Sequence, residues 1–142
     1  MKVLFICKGN WFRSQVAEAI YNQITGTHDA VSAGTYVGAP DEPEGQILSD
    51  LFPDPVFFEA MESHGLYLRN HKTKKLTPEM LQDANVVISM AQEPYIPDFL
   101  SKDPRVVWRN VEDYSVVTKE LAERTYDTLT RLIKGIIAKE NI

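Results

Sequence analysis

Short, largely apolar runs recur along the chain and are separated by longer segments of mixed polarity. These runs occupy residues 2–6, 30–33, 85–90 and 105–107. Continuous apolar runs are typical of strands that are buried on both faces, as in a parallel sheet. The pattern therefore predicts four short strands.

Between these runs, apolar residues recur at intervals of three and four, which indicates helices with one buried face. The clearest cases are residues 14–25, which Gly26 ends, and residues 120–138. Shorter helical segments are predicted at residues 56–64, from Pro78 onward and, as a broken helix, at residues 94–100.

Strands that alternate with helices predict an α/β fold. We expect a three-layer, doubly wound architecture in which helices cover both faces of a four-stranded parallel sheet. Residues 39–55 are rich in proline, glycine and acid, so we expect a loop there with at most one helical turn at residues 46–51. No repeat or linker divides the sequence, and we expect a single domain over residues 1–142.

Charge and cysteine usage exclude several function classes. The net charge is −5, which argues against general nucleic-acid binding. No stretch approaches the roughly 20 apolar residues of a membrane span. One cysteine forms no internal disulfide, so we expect a cytoplasmic protein. Three scattered histidines and one cysteine do not make a metal site, and we expect no metal and no cofactor.

The single cysteine, Cys7, directly follows the first predicted strand and begins the segment CKGNWFR before a helix. Ligands of open α/β sheets bind at this edge, and the backbone N–H groups of such a loop can surround an anion. Gly9 eases the turn, and Arg13 could hold two oxygens of a tetrahedral oxyanion. The positive field would favour the nucleophilic thiolate of Cys7, to which Ser14 could donate a hydrogen bond. The alternative is a buried core cysteine with Arg13 as a surface charge.

The segment CKGNWFRS resembles the phosphate-binding loop of the low-molecular-weight protein tyrosine phosphatases, whose pattern is Cys, five residues, Arg and Ser, with Asn third after Cys. Further segments that are similar to the family follow in order: RSQVAEA, VSAGT, PDPVFFEAMESHGL, NHKTKKL, DANVVISM and VEDYS. The resemblance covers nearly the whole chain apart from residues 39–52.

The resemblance implies hydrolysis of a phosphotyrosine protein or a small aryl phosphate through a phosphocysteine on Cys7, with phosphate as product. Arg13 and the loop amides from Lys8 onward would bind the phosphoryl oxygens. Asp113 would serve as general acid and then as base. Two alternatives stay open at this site: Glu112 as the acid, or Asp113 as a loop or capping residue before the last helix.

Other residues are implied by the same resemblance. Eight would bind substrate: Lys8, Gly9, Asn10, Trp11, Phe12, Ser14, Tyr36 and Tyr114. A hydrogen-bond network that supports the loop would join Asn10, Ser32 and His71. Trp11 would either stack on an aromatic leaving group or pack on the surface.

The chain departs from the family pattern at several positions. Phe12 replaces a second cysteine that in many members protects the nucleophile from oxidation. Tyr114 replaces a proline after the acid, and Ser115 replaces an aromatic residue of the cleft. Relatives with a small residue at the position of Trp11 are arginine phosphatases, and the indole would crowd that pocket.

A further departure lies in an acidic segment, which contains an insertion at residues 39–52. Residues 39–64 contain seven acidic residues and no lysine or arginine. This segment either selects partners with basic flanks or is a solvated loop. Two other functions remain open for the whole protein: arsenate reduction on the same scaffold, and non-catalytic binding of phosphate or phosphopeptides. The sequence indicates no oligomeric state.

Overall fold

A computed structural model describes residues 1–140. It contains four strands: β1 (Val3–Cys7), β2 (Ala30–Gly34), β3 (Val86–Ser89) and β4 (Val107–Trp108). It contains six helices: α1 (Arg13–Thr25), α2 (Leu48–Leu51), α3 (Val56–Glu62), α4 (Pro78–Asp83), α5 (Asp98–Ser101) and α6 (Lys119–Glu140). Each predicted strand and helix is therefore present.

The four strands form one parallel sheet in the order β2-β1-β3-β4. Val3 of β1 is in register with Ala30 on one side and with Val86 on the other. The first strand, β1, therefore lies inside the sheet, and later strands are added on both of its sides, which confirms the doubly wound α/β fold.

Each face of the sheet is covered by a separate apolar cluster. Val3, Phe5 and Cys7 of β1 face the cluster that contains residues of α1, α3 and α6. Leu4 and Ile6 face the cluster that contains Leu81 of α4 and Leu100 of α5. The alternation of β1 side chains between two buried layers explains why its sequence is continuously apolar.

Most element boundaries differ from the sequence prediction by one or two residues, and the differences at β4 and α5 are described here. The fourth strand was expected at residues 105–107, but β4 begins at Val107 because Arg105 is bonded to the turn before it. The backbone N–H and the guanidinium of Arg105 both donate to Asp103. The broken helix expected at residues 94–100 is reduced to α5, which follows Pro97.

Residues 39–55 of the acidic segment contain the single helical turn that was predicted there, α2. Its backbone is tied to the segment after α3: Leu48 N donates to His71 O at 2.9 Å, and Gly45 N donates to Thr73 O at 2.9 Å. These two hydrogen bonds therefore hold the segment against the residues that follow α3. None of the helices in the described residues is long and apolar enough to cross a membrane.

Candidate active site

Cys7 ends β1 at the carboxyl edge of the sheet, and Arg13 begins α1, so residues 8–12 form the connecting loop. Cys7 is buried, as the core alternative requires, but its sulfur has polar neighbours. Its Sγ lies 2.9 Å from Ser14 Oγ and 3.3 Å from the backbone N of Asn10. A thiolate at this position would receive two hydrogen bonds, which the core alternative does not explain.

Asn10 holds the loop in shape. Its φ is 54°, a left-handed conformation that asparagine tolerates better than most residues. The fully buried amide donates to Ser14 Oγ at 2.8 Å and to Ser32 Oγ at 3.0 Å. Because Ser14 Oγ already accepts from Asn10, its own hydroxyl hydrogen is free to point at the sulfur of Cys7.

The expected network of Asn10, Ser32 and His71 is present, but His71 is joined to Asn10 through Gln15 and not directly. Gln15 Nε2 donates to Asn10 Oδ1 at 3.1 Å and to Lys72 O at 3.0 Å. Gln15 Oε1 lies 3.0 Å from His71 Nδ1, which must be the donor. Burial lowers the pKa of His71.

Gln15 and Glu18 are members of this network that the sequence analysis missed. Glu18 Oε1 accepts from Ser32 Oγ at 3.0 Å and lies 3.5 Å from Lys74 Nζ. Gln15 is fully buried next to Val16. The signal in the sequence that could have identified Gln15 is therefore a polar residue on the apolar face of α1. Such a residue needs buried partners, because an unpaired amide there is costly.

Arg13 is almost fully buried, which excludes the alternative of a surface charge. Its Nη1 donates to Met90 O at 2.8 Å and to Val111 O at 3.0 Å. Its Nη2 lies 3.5 Å from Asp113 Oδ2, while Nε makes no hydrogen bond within residues 1–140. Two carbonyls thus fix the guanidinium and leave Nε and Nη2 for an anion.

The segment before α6 separates the two candidate acids. Asp113 faces Arg13, whereas Glu112 Oε2 accepts a hydrogen bond of 2.9 Å from the hydroxyl of Tyr114. Burial, followed by this bond to Glu112, raises the pKa of Tyr114. Asp113 does not cap α6, because that helix begins at Lys119 and Thr118 Oγ1 accepts from Leu121 N.

A cleft with a volume of about 350 Å³ opens beside the loop. The indole of Trp11 lies over Gly9 so closely that a Cβ there would come within 2.4 Å of the ring. The same indole meets the ring of Phe52 edge-on, with 5.4 Å between ring centroids. Trp11 is therefore a half-buried wall of the cleft rather than a free surface side chain.

Four other predicted substrate-binding residues do not line this cleft. Lys8 Nζ lies 4.9 Å from the ring centroid of Tyr36 and 4.1 Å from that of Tyr95. Phe12 is buried against Phe57, so only its backbone is available to a ligand. Tyr114 packs on Phe12, with 6.3 Å between ring centroids. Their roles toward substrate stay predictions.

Comparisons with known proteins agree with this geometry. The sequence profile of the family described as "Low molecular weight phosphotyrosine protein phosphatase" matches residues 2–97. The chain belongs to this family. It is 31% identical over 88 residues to a protein of Ralstonia solanacearum named "Probable low molecular weight protein-tyrosine-phosphatase EpsP". That match covers 62% of this chain but only 54% of the relative, so the chain spans about half the length of the curated relatives it matches.

Solved structures show the same fold. The low molecular weight protein tyrosine phosphatase from T. tengcongensis is 27% identical with a TM-score of 0.76, and the match covers 98% of this chain and 99% of that one. Vibrio vulnificus Wzb, solved in complex with benzylphosphonate, is 17% identical with a TM-score of 0.77, and 97% of each chain is covered. At that identity the second likeness establishes the fold alone.

Proposed function

We propose that the protein hydrolyses phosphotyrosine-type phosphomonoesters in two steps through a phosphocysteine. The proposal rests on one observation above all: a buried cysteine and a buried arginine flank one short loop, and an aspartate from a distant segment lies against that arginine. Cys7 Sγ lies against Ser14 and the Asn10 amide, and Arg13 Nη2 lies against Asp113. Family membership supports the same reaction.

In the first step the thiolate of Cys7 attacks phosphorus, and the bond between phosphorus and the phenolic oxygen breaks. Nε and Nη2 of Arg13 and the loop amides hold the equatorial oxygens, where transition-state charge is stabilised. Protonated Asp113 gives its proton to the leaving phenolate, which departs as a neutral phenol.

In the second step water attacks the phosphorus of the phosphocysteine, and the bond between phosphorus and sulfur breaks. Asp113, now a carboxylate, accepts a proton from that water, so inorganic phosphate is released and the acid is restored. The hydroxyl of Ser14 donates a hydrogen bond to the departing thiolate and keeps its proton, which lowers the cost of releasing a charged sulfur. The products are a phenol and phosphate, and no cofactor is consumed.

The test is hydrolysis of p-nitrophenyl phosphate and phosphotyrosine by the wild type and by Cys7→Ser. We expect turnover to fall by at least about 10³-fold in the variant, because the nucleophile is lost. Binding of inorganic phosphate, measured by calorimetry, should change little because Arg13 and the loop amides remain. Activity of Cys7→Ser within about tenfold of wild type would show that sulfur is not the nucleophile.

A further inference from the structure

The cleft beside the phosphate loop extends into the acidic segment. Trp11 is its wall on the loop side, Leu51 and Phe52 form a second wall, and Val117 lies on a third. A substrate that places phosphate on the loop would therefore have its neighbouring residues next to this cleft. The apolar walls suit a long aliphatic stem.

The charged residues that line the cleft all have the same sign. They are Asp41, Glu42 and Asp54, and no lysine, arginine or histidine of the described chain lines it. The nearby cation Lys8 lies over two tyrosine rings instead. Three carboxylates beside a site for a phosphate dianion repel the substrate unless a cation enters with it.

Glu42 is the carboxylate that most clearly lacks a partner. Its Oε2 is buried and has no hydrogen-bond partner within residues 1–140. Burial raises the pKa of Glu42, Lys8 opposes this rise, and the charges of Asp41 and Asp113 add to it. A buried acceptor oxygen without a donor is unusual in a folded protein, and an entering N–H group would satisfy it.

We propose that this cleft binds a lysine or arginine side chain that flanks the phosphotyrosine of a protein substrate. The methylene stem would pack on Leu51, Phe52 and Trp11, and the cationic end would donate to Glu42 and Asp54. The proposal rests on the proposed function, since it uses the phosphate loop as the anchor. It names the substrate class as phosphotyrosine sequences with basic flanks.

The experiment compares three phosphotyrosine peptides of equal length whose flanking residues on both sides are lysine, glutamine or glutamate. We expect the wild type to prefer the lysine peptide over the glutamate peptide in kcat/KM by at least about tenfold at low salt, and less at high salt. Glu42→Gln should reduce this ratio, and Glu42→Gln/Asp54→Asn should reduce it to about threefold or less. Because this ratio compares two peptides on the same preparation of one variant, it does not change if part of that preparation is unfolded.

The matched control is Asp50→Asn, which removes one negative charge from the same segment but does not line the cleft. It should keep the wild-type ratio. Equal rates for the three peptides, or an equal loss in Asp50→Asn and Glu42→Gln, would overturn the proposal.

Two further measurements separate this proposal from the proposed function. Hydrolysis of p-nitrophenyl phosphate without peptide preference means that the function stands and the cleft assignment fails. If no substrate is hydrolysed, the proposed function is wrong. The proposal for the cleft is then tested by the Kd values with which Cys7→Ser binds the three peptides. The order lysine, glutamine, glutamate from tightest to weakest supports it, and any other order contradicts it.

Discussion

At the scale of single residues, the contact between Arg13 and Asp113 is the most informative, because it supports Asp113 over Glu112 as the proposed acid. Nη2 of Arg13 lies 3.5 Å from Asp113, while Glu112 is bonded to the hydroxyl of Tyr114. The backbone carbonyl of Val111 accepts from the same guanidinium, so the segment that carries the acid is held to the arginine at two points. With Tyr114 in place of the family's proline, Asp113, the proposed acid, therefore still lies beside Arg13, the proposed phosphate-binding residue.

Asp113→Ala should lower kcat for phosphotyrosine by about 10²–10⁴-fold, the usual contribution of a general acid. The loss should be smaller for p-nitrophenyl phosphate, because its leaving group needs the proton less. The fall of kcat on the basic side of the pH profile should also weaken. These are measured as kcat–pH profiles on both substrates.

The control for this prediction is the neighbouring residue. Glu112→Ala should leave the dependence on leaving group unchanged, since its carboxylate is turned to Tyr114. If Glu112→Ala shows that dependence and Asp113→Ala does not, the acid has been assigned one residue too far along the chain.

Phe12 gives a second prediction at this scale, on oxidation. The side chain is packed against Phe57, and Cys7 is the only free cysteine that the structure describes, so no neighbouring thiol can trap a sulfenic acid as a disulfide. Brief peroxide treatment should inactivate the enzyme, and recovery of activity with dithiothreitol should decline as exposure lengthens, since further oxidation is irreversible. Saturating phosphate should slow the inactivation.

Phe12→Cys should recover more activity than the wild type after the same exposure. Because this change also removes a buried ring, Phe12→Ala is the matched variant: it makes a similar cavity without adding a thiol. Equal recovery of Phe12→Cys and Phe12→Ala would argue against disulfide protection at this position.

At the scale of elements, the first turn of α1 connects the loop to the segment that follows α3. Gln15 provides the connection, with bonds to Asn10, Lys72 and His71. Since Asn10 has a left-handed backbone, the loop shape depends on the bonds of its side chain. A buried residue behind the loop, Gln15, thus helps to fix the shape of the loop.

Gln15→Leu should lower the free energy of unfolding by about 1–3 kcal/mol, because it leaves buried polar groups without partners. It should also lower kcat/KM for p-nitrophenyl phosphate by about tenfold or more, since small displacements of positioning groups are costly. Denaturant unfolding and steady-state kinetics measure the two effects.

The control is Gln23→Leu in the same helix, whose amide donates to His64 O at the protein surface. We expect this variant to change kcat/KM by less than about twofold, because surface substitutions have small effects. If both variants lose the same activity, the loss reflects α1 as a whole and not the connection through Gln15.

At the scale of the whole molecule, the order of strands and helices was predictable because the local pattern of apolar and polar residues indicates where each one forms. The continuous apolar residues of β1 and the spacing of Leu129 and Ile133 in α6 are such local signals. The position of Cys7 at the carboxyl edge of the sheet followed from strand and helix order alone.

What the sequence could not give were contacts between distant segments. Nothing local indicates that Arg13 would donate to Met90 and Val111, or that Gln15 would reach His71. The orientations of Tyr36 and Tyr114 also depend on packing with residues far along the chain, namely Tyr95 and Phe12. These contacts depend on how the helices pack against the sheet, which local sequence patterns do not specify.

The contact between Arg13 and Asp113 also means that a carboxylate of the protein itself lies against the guanidinium. The chain supplies its own anion to the guanidinium, so we expect phosphate to compete with the carboxylate of Asp113 for Arg13.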